Sequence, residues 1–200
     1  MRIRFVLLAL LPLAVGACAL PQDDAGRPTA APATTPAAPA TTPAARSGTA
    51  PAGQPPPGIV PAAQRPAAPS LRVTDFDGRT VDLDGLRGRP VVVSFFESWC
   101  GICRVEQPDL SRVAREFAGR VGFVGVSYHD TVAAGRAYQR RFAVSYPLAN
   151  DASGRTWARW RVPYQPVTVL VDKQGRIAER FDGGTTGGTL RATLAYLAGE

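Results

Sequence analysis

The chain has 200 residues, of which 45% are hydrophobic and 20% charged, and its formal net charge at pH 7 is +7. Arginine supplies nearly all of the positive charge, and acidic residues lie between the arginines, which argues against a nucleic-acid-binding surface. The three cysteines and one histidine are too few for a disulfide scaffold or for a structural zinc site with two ligand pairs.

Residues 1–17 have the pattern of an export signal. A basic start is followed by an apolar run over residues 5–15 that is too short to span a bilayer. Val15-Gly16-Ala17-Cys18 resembles the lipobox of bacterial lipoproteins, which implies cleavage before Cys18, acylation of that cysteine and attachment to the membrane by a lipid anchor. The alternative is an ordinary secretory signal in which Cys18 has no role. Both interpretations predict an extracytoplasmic protein.

Residues 18–69 are rich in Ala, Pro and Thr and hold most of the 19 prolines. The segment has no hydrophobic periodicity, and proline both fixes φ and removes backbone donors, so we expect no core here. The composition predicts a disordered, semi-rigid linker that reaches at most ~150 Å, at ~3.1 Å per residue, and holds the following domain away from the membrane.

Residues 70–200 have the length of one compact domain. Two short apolar segments around Asp77-Gly78 predict a β-hairpin. The pattern then predicts strands at 91–96, 121–127, 167–171 and 177–181, helices at 102–117, 131–142 and 189–197, a turn at 150–154 and a short helix through Trp157 and Trp160. Parallel pairing through helical crossovers, closed by a final hairpin, predicts an α/β domain with a mixed central sheet covered by helices on both faces.

Two thiols, Cys100 and Cys103, lie where the first buried strand passes into a helix. This order places Cys100 at the helix N-terminus, where free backbone N–H groups and the helix dipole favour the thiolate, the reactive form of cysteine. Cys103 lies one turn further along and is expected to be more covered, which suits it to resolve a mixed disulfide formed at Cys100. The pattern indicates thiol-disulfide exchange. A purely structural disulfide of this spacing closes too small a loop to stabilise much.

Several separated motifs carry a family resemblance: the Asp-Gly hairpin, Trp99-Cys100-Gly101-Ile102-Cys103, the Glu and Pro of residues 104–108, and the segment 157–166. With these motifs the domain is similar to thioredoxin-fold oxidoreductases of the extracytoplasmic TlpA/ResA class, and most closely to the secreted DsbE/DsbF-type proteins of actinobacteria. The resemblance implies a thioredoxin-like fold and a thiol-disulfide oxidoreductase that needs no cofactor or metal. It implies two kinds of partner, protein thiols or disulfides and a membrane redox protein of the CcdA/DsbD or VKOR type.

The resemblance also assigns roles to residues around the thiols. Pro166, rather than Pro163, corresponds to the family's cis-proline, and Gln165 and Pro166 would offer backbone hydrogen bonds to an extended substrate. Glu106 corresponds to a carboxylate near the active site that could move a proton or tune a thiol. The remaining substrate-binding positions implied are Trp99, Gly101 and Ile102.

Departures from the family pattern leave questions open. Cytoplasmic thioredoxins carry a buried Asp where this chain has Ser94. Glu97 follows a strand, where a side chain can face solvent, and receives no role, whereas His129 either titrates near the site or is simply exposed. The direction of exchange, oxidation or reduction, is not predicted. The other functions considered are a Sco-like copper chaperone, although its cysteines are spaced by three residues, and a peroxiredoxin-like peroxidase, although residues 94–99 lack the proline it requires.

Overall fold

The computed structural model describes residues 54–200. The predicted signal sequence, Cys18 and most of the predicted linker lie outside the described residues. Within residues 54–200, none of the helices combines the length and the apolar character needed to cross a membrane.

Seven strands and four α-helices build the domain. The strands are β1 (Arg72–Asp75), β2 (Thr80–Asp82), β3 (Val91–Phe95), β4 (Gly122–Ser127), β5 (Leu148–Asn150), β6 (Val167–Val171) and β7 (Ile177–Asp182). The helices are α1 (Gly101–Glu116), α2 (Val132–Arg141), α3 (Arg155–Arg159) and α4 (Gly187–Gly199). Short 3-10 turns lie at Ala62–Gln64 and Asp84–Leu86.

All seven strands form one mixed sheet in the order β2-β1-β5-β4-β3-β6-β7. The pairs β3–β4 and β4–β5 are parallel, and the other neighbouring strands are antiparallel. All five residues of β3 are buried, as expected for a central strand covered on both faces. The Cys100 segment follows the carboxyl end of this central strand. It therefore lies near the middle of the sheet, at the edge formed by the strand ends.

Side chains of β3 alternate between two cores. Val92 and Phe96 pack with the apolar residues of α1, α2 and α4, whereas Val93 and Phe95 pack with Trp157 of α3 and its neighbours. Helices thus cover both faces of the sheet, and β1 and β2 form the N-terminal hairpin. The predicted α/β class, mixed sheet and hairpin are confirmed.

The packed part of the chain begins before residue 70, where the sequence predicts that the linker ends. Residues 59–69, here called the N-terminal strap, run along the edge strand β7: Val60 donates a backbone hydrogen bond to Ala178 at 2.8 Å, and Ala68 donates one to Gly175 at 2.9 Å. Arg65 of the strap is buried and pairs with Asp172 at 3.1 Å and with Glu200 at 2.7 Å. These contacts correct the expectation of a linker for residues 59–69, because backbone hydrogen bonds and the buried Arg65 hold the strap against the domain, although Pro61 and Pro66 themselves are exposed.

The sequence pattern does not indicate β5. It places a turn from residue 150, but Leu148–Asn150 pairs with both β1 and β4, and Asp151 then caps α3 by accepting the N–H groups of Thr156 and Trp157. A strand of three residues is too short to show an alternating pattern. Trp160 follows the short helix α3 rather than lying inside it.

Candidate active site

Cys100 and Cys103 form a disulfide at the start of α1, with their Cα atoms 5.3 Å apart. Cys100 is the N-cap residue of the helix, and its sulfur accepts the backbone N–H of Cys103 at 3.2 Å. Free N–H groups at a helix N-terminus stabilise negative charge, and the first turn of α1 holds no acidic residue. The site therefore favours a thiolate at Cys100 when the disulfide is opened.

Below the disulfide, a buried polar network fixes the first turns of α1. The phenolic oxygen of Tyr138, from α2, donates to the carbonyl oxygen of Cys103 at 3.0 Å. Gln107 donates to Tyr146 at 2.8 Å and to Ser111 at 3.0 Å. This network is not predictable from the sequence, since its members lie on three separate segments and individually resemble ordinary core or surface positions.

The Gln165–Pro166 peptide bond is cis, as the resemblance implies. Because Val167 pairs with Phe95, Pro166 lies beside the segment that leads from β3 to Cys100. A Cβ atom built on Gly184 would lie 3.5 Å from Pro166 Cγ, 3.4 Å from Glu106 Oε2 and 3.7 Å from Ile102 Cγ2. The fold thus brings three of the predicted site residues together around Gly184.

Glu106 is 8% exposed, although it lies on the helix that carries the thiols. Its Oε1 accepts the backbone N–H of Thr185 at 2.9 Å, while Oε2 is buried without a hydrogen-bond partner. Burial raises the pKa of Glu106 above its ordinary value, and the Thr185 hydrogen bond opposes that rise. A groove of about 330 Å³ runs past this carboxyl, between α1 and the segment 183–186.

Large apolar side chains are exposed around the disulfide. Trp99, directly before Cys100, is 60% exposed, and Ile102, between the cysteines, is 58% exposed. The other exposed large apolar side chains among the described residues are Val105 on α1, Val132 at the start of α2 and Tyr164 before the cis-proline. All five belong to segments at the sheet edge that carries the disulfide, or to the helix turns that follow it. We call these five residues the apolar rim.

Glu97 and His129, which the sequence left without roles, lie next to each other at the ends of β3 and β4. His129 Nδ1 is 3.4 Å from Glu97 Oε1, and the imidazole is 61% exposed. Glu97 itself is 0% exposed, so the suggestion that it faces solvent is wrong. The local sequence does not indicate this burial, which depends on backbone donors in the segment that follows β4.

The described residues contain no cluster of three or more His, Cys, Asp or Glu side chains suited to hold a metal ion. Ser94, which replaces the buried Asp of cytoplasmic thioredoxins, is itself buried in β3. The proposed lipidation site, Cys18, lies outside the described residues.

A helix N-cap disulfide and a cis-proline on neighbouring segments of one mixed sheet, with helices on both faces, define a protein of the thioredoxin-fold class. Residues 65–180 match the AhpC/TSA family, and the chain belongs to this family.

Three relatives illustrate the similarity. The chain is 35% identical over 102 residues to the soluble secreted antigen MPT53 of Mycobacterium tuberculosis, covering 51% of this chain and 58% of MPT53. It is 26% identical over 120 residues to the thiol-disulfide oxidoreductase ResA of Bacillus cereus, covering 60% of this chain and 69% of ResA. A crystal structure of a secreted Mycobacterium tuberculosis disulfide oxidoreductase homologous to Escherichia coli DsbE superposes with a TM-score of 0.58 at 30% identity, covering 64% of this chain and 96% of that one.

These relatives confirm the thioredoxin-like fold and the resemblance to ResA-type and DsbE/DsbF-type proteins. The chain spans less than two thirds of the length of MPT53.

Proposed function

We propose that this protein is an extracytoplasmic thiol-disulfide oxidoreductase that acts on protein thiols and disulfides through Cys100 and Cys103. The observation that carries the proposal is the position of Cys100, whose sulfur caps α1 and accepts the Cys103 N–H at 3.2 Å. A helix N-terminus stabilises the thiolate that attacks in exchange reactions. ResA and the mycobacterial disulfide oxidoreductase, by their names, carry out this chemistry.

In the oxidising direction, a client thiolate attacks the Cys100 sulfur of the disulfide. The S–S bond to Cys103 breaks, Cys103 leaves as a thiolate, and a mixed disulfide joins client and Cys100. A second client thiolate then attacks the client sulfur of this mixed disulfide and releases Cys100 as a thiolate. The client loses two electrons and gains a disulfide, and the protein becomes a dithiol. In the reducing direction the same steps run backward, with Cys103 resolving the mixed disulfide.

The apolar rim supports a protein client rather than a small thiol. Trp99, Ile102 and Tyr164 expose apolar surface around the thiols, and exposed apolar patches of this kind mark protein-binding sites. A partly exposed Gln165 precedes the buried Pro166, so that the backbone here can pair with an extended client segment. Gly101, with open space at its Cβ position, leaves room for that segment beside Cys100.

Glu106 is suited to handle a proton during exchange. Its Oε2 is buried without a partner, close to Ile102 and Pro166, and burial raises the pKa of Glu106, which favours the protonated carboxyl that can give its proton to a thiolate. In this role Glu106 takes the proton of an attacking thiol or returns one to a departing thiolate.

Localisation follows from the N-terminal sequence and the relatives. MPT53 is a secreted protein by its name, and residues 1–18 of this chain have the pattern of a lipoprotein signal. With Cys18 acylated, the protein is tethered to the outer face of the membrane, where a CcdA/DsbD- or VKOR-like membrane protein resets its redox state. Replacing Cys18 with Ser should release the protein from the membrane fraction into the medium.

The test of the activity uses the purified protein and an unfolded client with two cysteines, supplied either as the dithiol or as the disulfide, in a glutathione buffer that provides the oxidant and the reductant. Wild type should catalyse formation or reduction of the client disulfide. Cys103→Ser should accumulate a mixed disulfide when its Cys100 thiolate attacks the disulfide form of the client, because no second thiol resolves that bond, and Cys100→Ser should do neither. A Cys100→Ser variant that retains full exchange activity would contradict the proposal. A peroxidase is the competing function for a member of the AhpC/TSA family, and rapid peroxide consumption that depends on Cys100 would favour it.

A further inference from the structure

A second buried carboxyl lies beside the thiols, and neither the exchange steps nor the resemblance uses it. Glu97 is three residues before Cys100 and has no exposed surface. Its Oε1 accepts the backbone N–H groups of Tyr128 at 3.0 Å and His129 at 2.9 Å. Its Oε2 is buried and has no hydrogen-bond partner. An orphaned buried oxygen is costly, so its retention calls for an explanation other than stability.

A second carboxylate makes the complementary connection between the same two loops. Asp130 Oδ2 accepts the backbone N–H of Ser98 at 2.9 Å, and its Oδ1 accepts the Ser98 hydroxyl at 2.6 Å. Loops 97–99 and 128–130 are therefore joined in both directions. The Glu97 carboxylate accepts N–H groups of loop 128–130, and the Asp130 carboxylate accepts the N–H and hydroxyl groups of Ser98 in loop 97–99. We call this arrangement the carboxylate clamp. Since loop 97–99 leads directly into Cys100, the clamp fixes the approach to the attacking sulfur.

Glu97 is also joined to Cys100 through the backbone. The Cys100 N–H donates to the Glu97 carbonyl oxygen at 3.1 Å, which closes a turn between the two residues. Glu97 thus lies one turn of chain before Cys100, whose sulfur becomes negative when the disulfide opens. A Glu97 carboxylate and a Cys100 thiolate carry like charges and repel each other. Both residues are buried, so screening of this repulsion by water and salt is weak.

We propose that Glu97 is a positioning residue that destabilises the Cys100 thiolate and so makes the Cys100–Cys103 disulfide harder to reduce. The inference rests on the proposed function and deepens it: the helix dipole of α1 favours the thiolate, and Glu97 opposes that effect. A less stable reduced form gives a more reducing couple. Glu97 therefore shifts the exchange equilibrium toward reduction of the client.

The charge on Glu97 depends on the groups around it. Burial and the nearby Asp130 carboxylate raise the pKa of Glu97, whereas the two backbone N–H bonds and the His129 imidazole lower it. His129 and Asp130 both come from the segment after β4, and α1 contributes Cys100. Because a protonated Glu97 carries no charge, its effect on Cys100 is present above the Glu97 pKa and disappears as the pH falls through it.

The test compares Glu97→Gln with wild type. The amide oxygen of Gln can accept the same two backbone N–H groups, so the substitution removes the charge and keeps the clamp. We expect the thiolate fraction of Cys100, followed by ultraviolet absorbance during a pH titration, to rise by about tenfold below its midpoint. The equilibrium with glutathione should shift by a similar factor toward the dithiol, and tenfold corresponds to about 30 mV.

Glu179→Gln is the matched control. Glu179 is also a buried glutamate with an unpartnered oxygen. It pairs with Leu170 of β6, which pairs with Val92 near the start of β3, so Glu179 lies toward the opposite end of the strands from Cys100. Its replacement should leave both the thiolate titration and the glutathione equilibrium at their wild-type positions. Equal effects of the two substitutions, or no effect of Glu97→Gln, would overturn the proposal.

A second measurement needs no substitution. Because the interaction is reciprocal, Glu97 and Cys100 of the dithiol form titrate as a coupled pair, whereas Glu97 of the disulfide form titrates alone. Carbon NMR of the Glu97 carboxyl in both redox forms tests this: the dithiol form should show an additional step at the pH where Cys100 ionises, and a Glu97 titration curve without that step would exclude the interaction. These readouts need no client, so they remain decisive if the protein fails to catalyse exchange, an outcome that would count against the proposed function alone.

Discussion

The phenolic hydroxyl of Tyr138 donates a hydrogen bond to the carbonyl oxygen of Cys103 at 3.0 Å and so connects helix α2 to the thiol pair. The same oxygen is 3.2 Å from Gln107 Oε1, and the Tyr138 ring packs 4.9 Å from the ring of Phe96. The hydroxyl is thus the polar end of a side chain that is otherwise part of the core.

We expect Tyr138→Phe to reduce the free energy of unfolding by about 1–3 kcal/mol, because it removes the one hydroxyl proton that lies between the Cys103 carbonyl oxygen and the buried amide oxygen of Gln107. Urea unfolding of the oxidised protein measures the change. Tyr164→Phe is the control, since Tyr164 is exposed and its loss should change stability by less than about 0.5 kcal/mol. Equal midpoints for Tyr138→Phe and wild type would mean that the network does not stabilise the site.

The N-terminal strap makes its own prediction about stability. The Asp172 side chain is only 4% exposed and pairs with Arg65. Arg65→Met removes this positive partner and leaves the buried Asp172 carboxylate without it. Breaking a buried pair in this way typically costs about 3–5 kcal/mol. Arg72→Met breaks an ion pair with Asp82 in which the arginine side chain is 74% exposed, and it should cost less than about 1 kcal/mol. Chemical denaturation of both variants checks the prediction, and similar losses would show that the strap does not stabilise the domain.

How much the sequence could predict depended on the range of the interactions. Strand β6 has the predicted bounds, and α1 begins and ends one residue earlier than predicted, because both follow from local apolar patterns. The partners of Arg65 could not be predicted, since Asp172 lies 107 residues away and the surrounding composition is typical of a linker.

The candidate site divides in the same way. The cysteine pair and the cis-proline are recognisable from short motifs, and the structure places them at one sheet edge. The burial of Glu97 depends instead on Tyr128 and His129, more than 30 residues further along the chain, which offer it their N–H groups. No pattern around Glu97 alone indicates those partners.

Glu106 gives a prediction about pH. Burial raises its pKa above the value in the unfolded chain, so the folded state binds more protons than the unfolded state between the two pKa values. Stability therefore falls as the pH rises through this window. Glu106→Gln removes that contribution. As the pH rises across the window, the unfolding free energy of the variant should therefore increase relative to that of wild type.

Urea unfolding at a series of pH values, starting near the ordinary glutamate pKa of about 4.3 and rising in steps until the two stability curves no longer diverge, follows this window. Glu116→Gln, which replaces an exposed glutamate of the same helix, serves as the control. Stability curves for Glu106→Gln and wild type that stay parallel throughout would show that the carboxyl is not destabilised by burial.

Two neighbouring glycines separate backbone strain from client binding. Gly183 and Gly184 both have positive φ angles, +92° and +107°, which side chains other than glycine rarely adopt. Replacing either with Ala should therefore cost about 1 kcal/mol or more of stability. A methyl group added at Gly184 contacts the site residues Glu106, Pro166 and Ile102. A methyl group added at Gly183 has no atom of another residue within 4 Å, apart from its chain neighbours.

We expect Gly184→Ala to slow exchange with an unfolded protein client by about tenfold, because the methyl group occupies the groove beside the thiols, an effect of about 1.4 kcal/mol on the barrier. Gly183→Ala should exchange at the wild-type rate under conditions in which both variants remain folded. Exchange with a small dithiol, which does not need the groove, should be nearly unchanged for both. If Gly183→Ala slows the protein client as much as Gly184→Ala does, the contact of the added methyl group with Glu106, Pro166 and Ile102 is not the cause of the slower exchange.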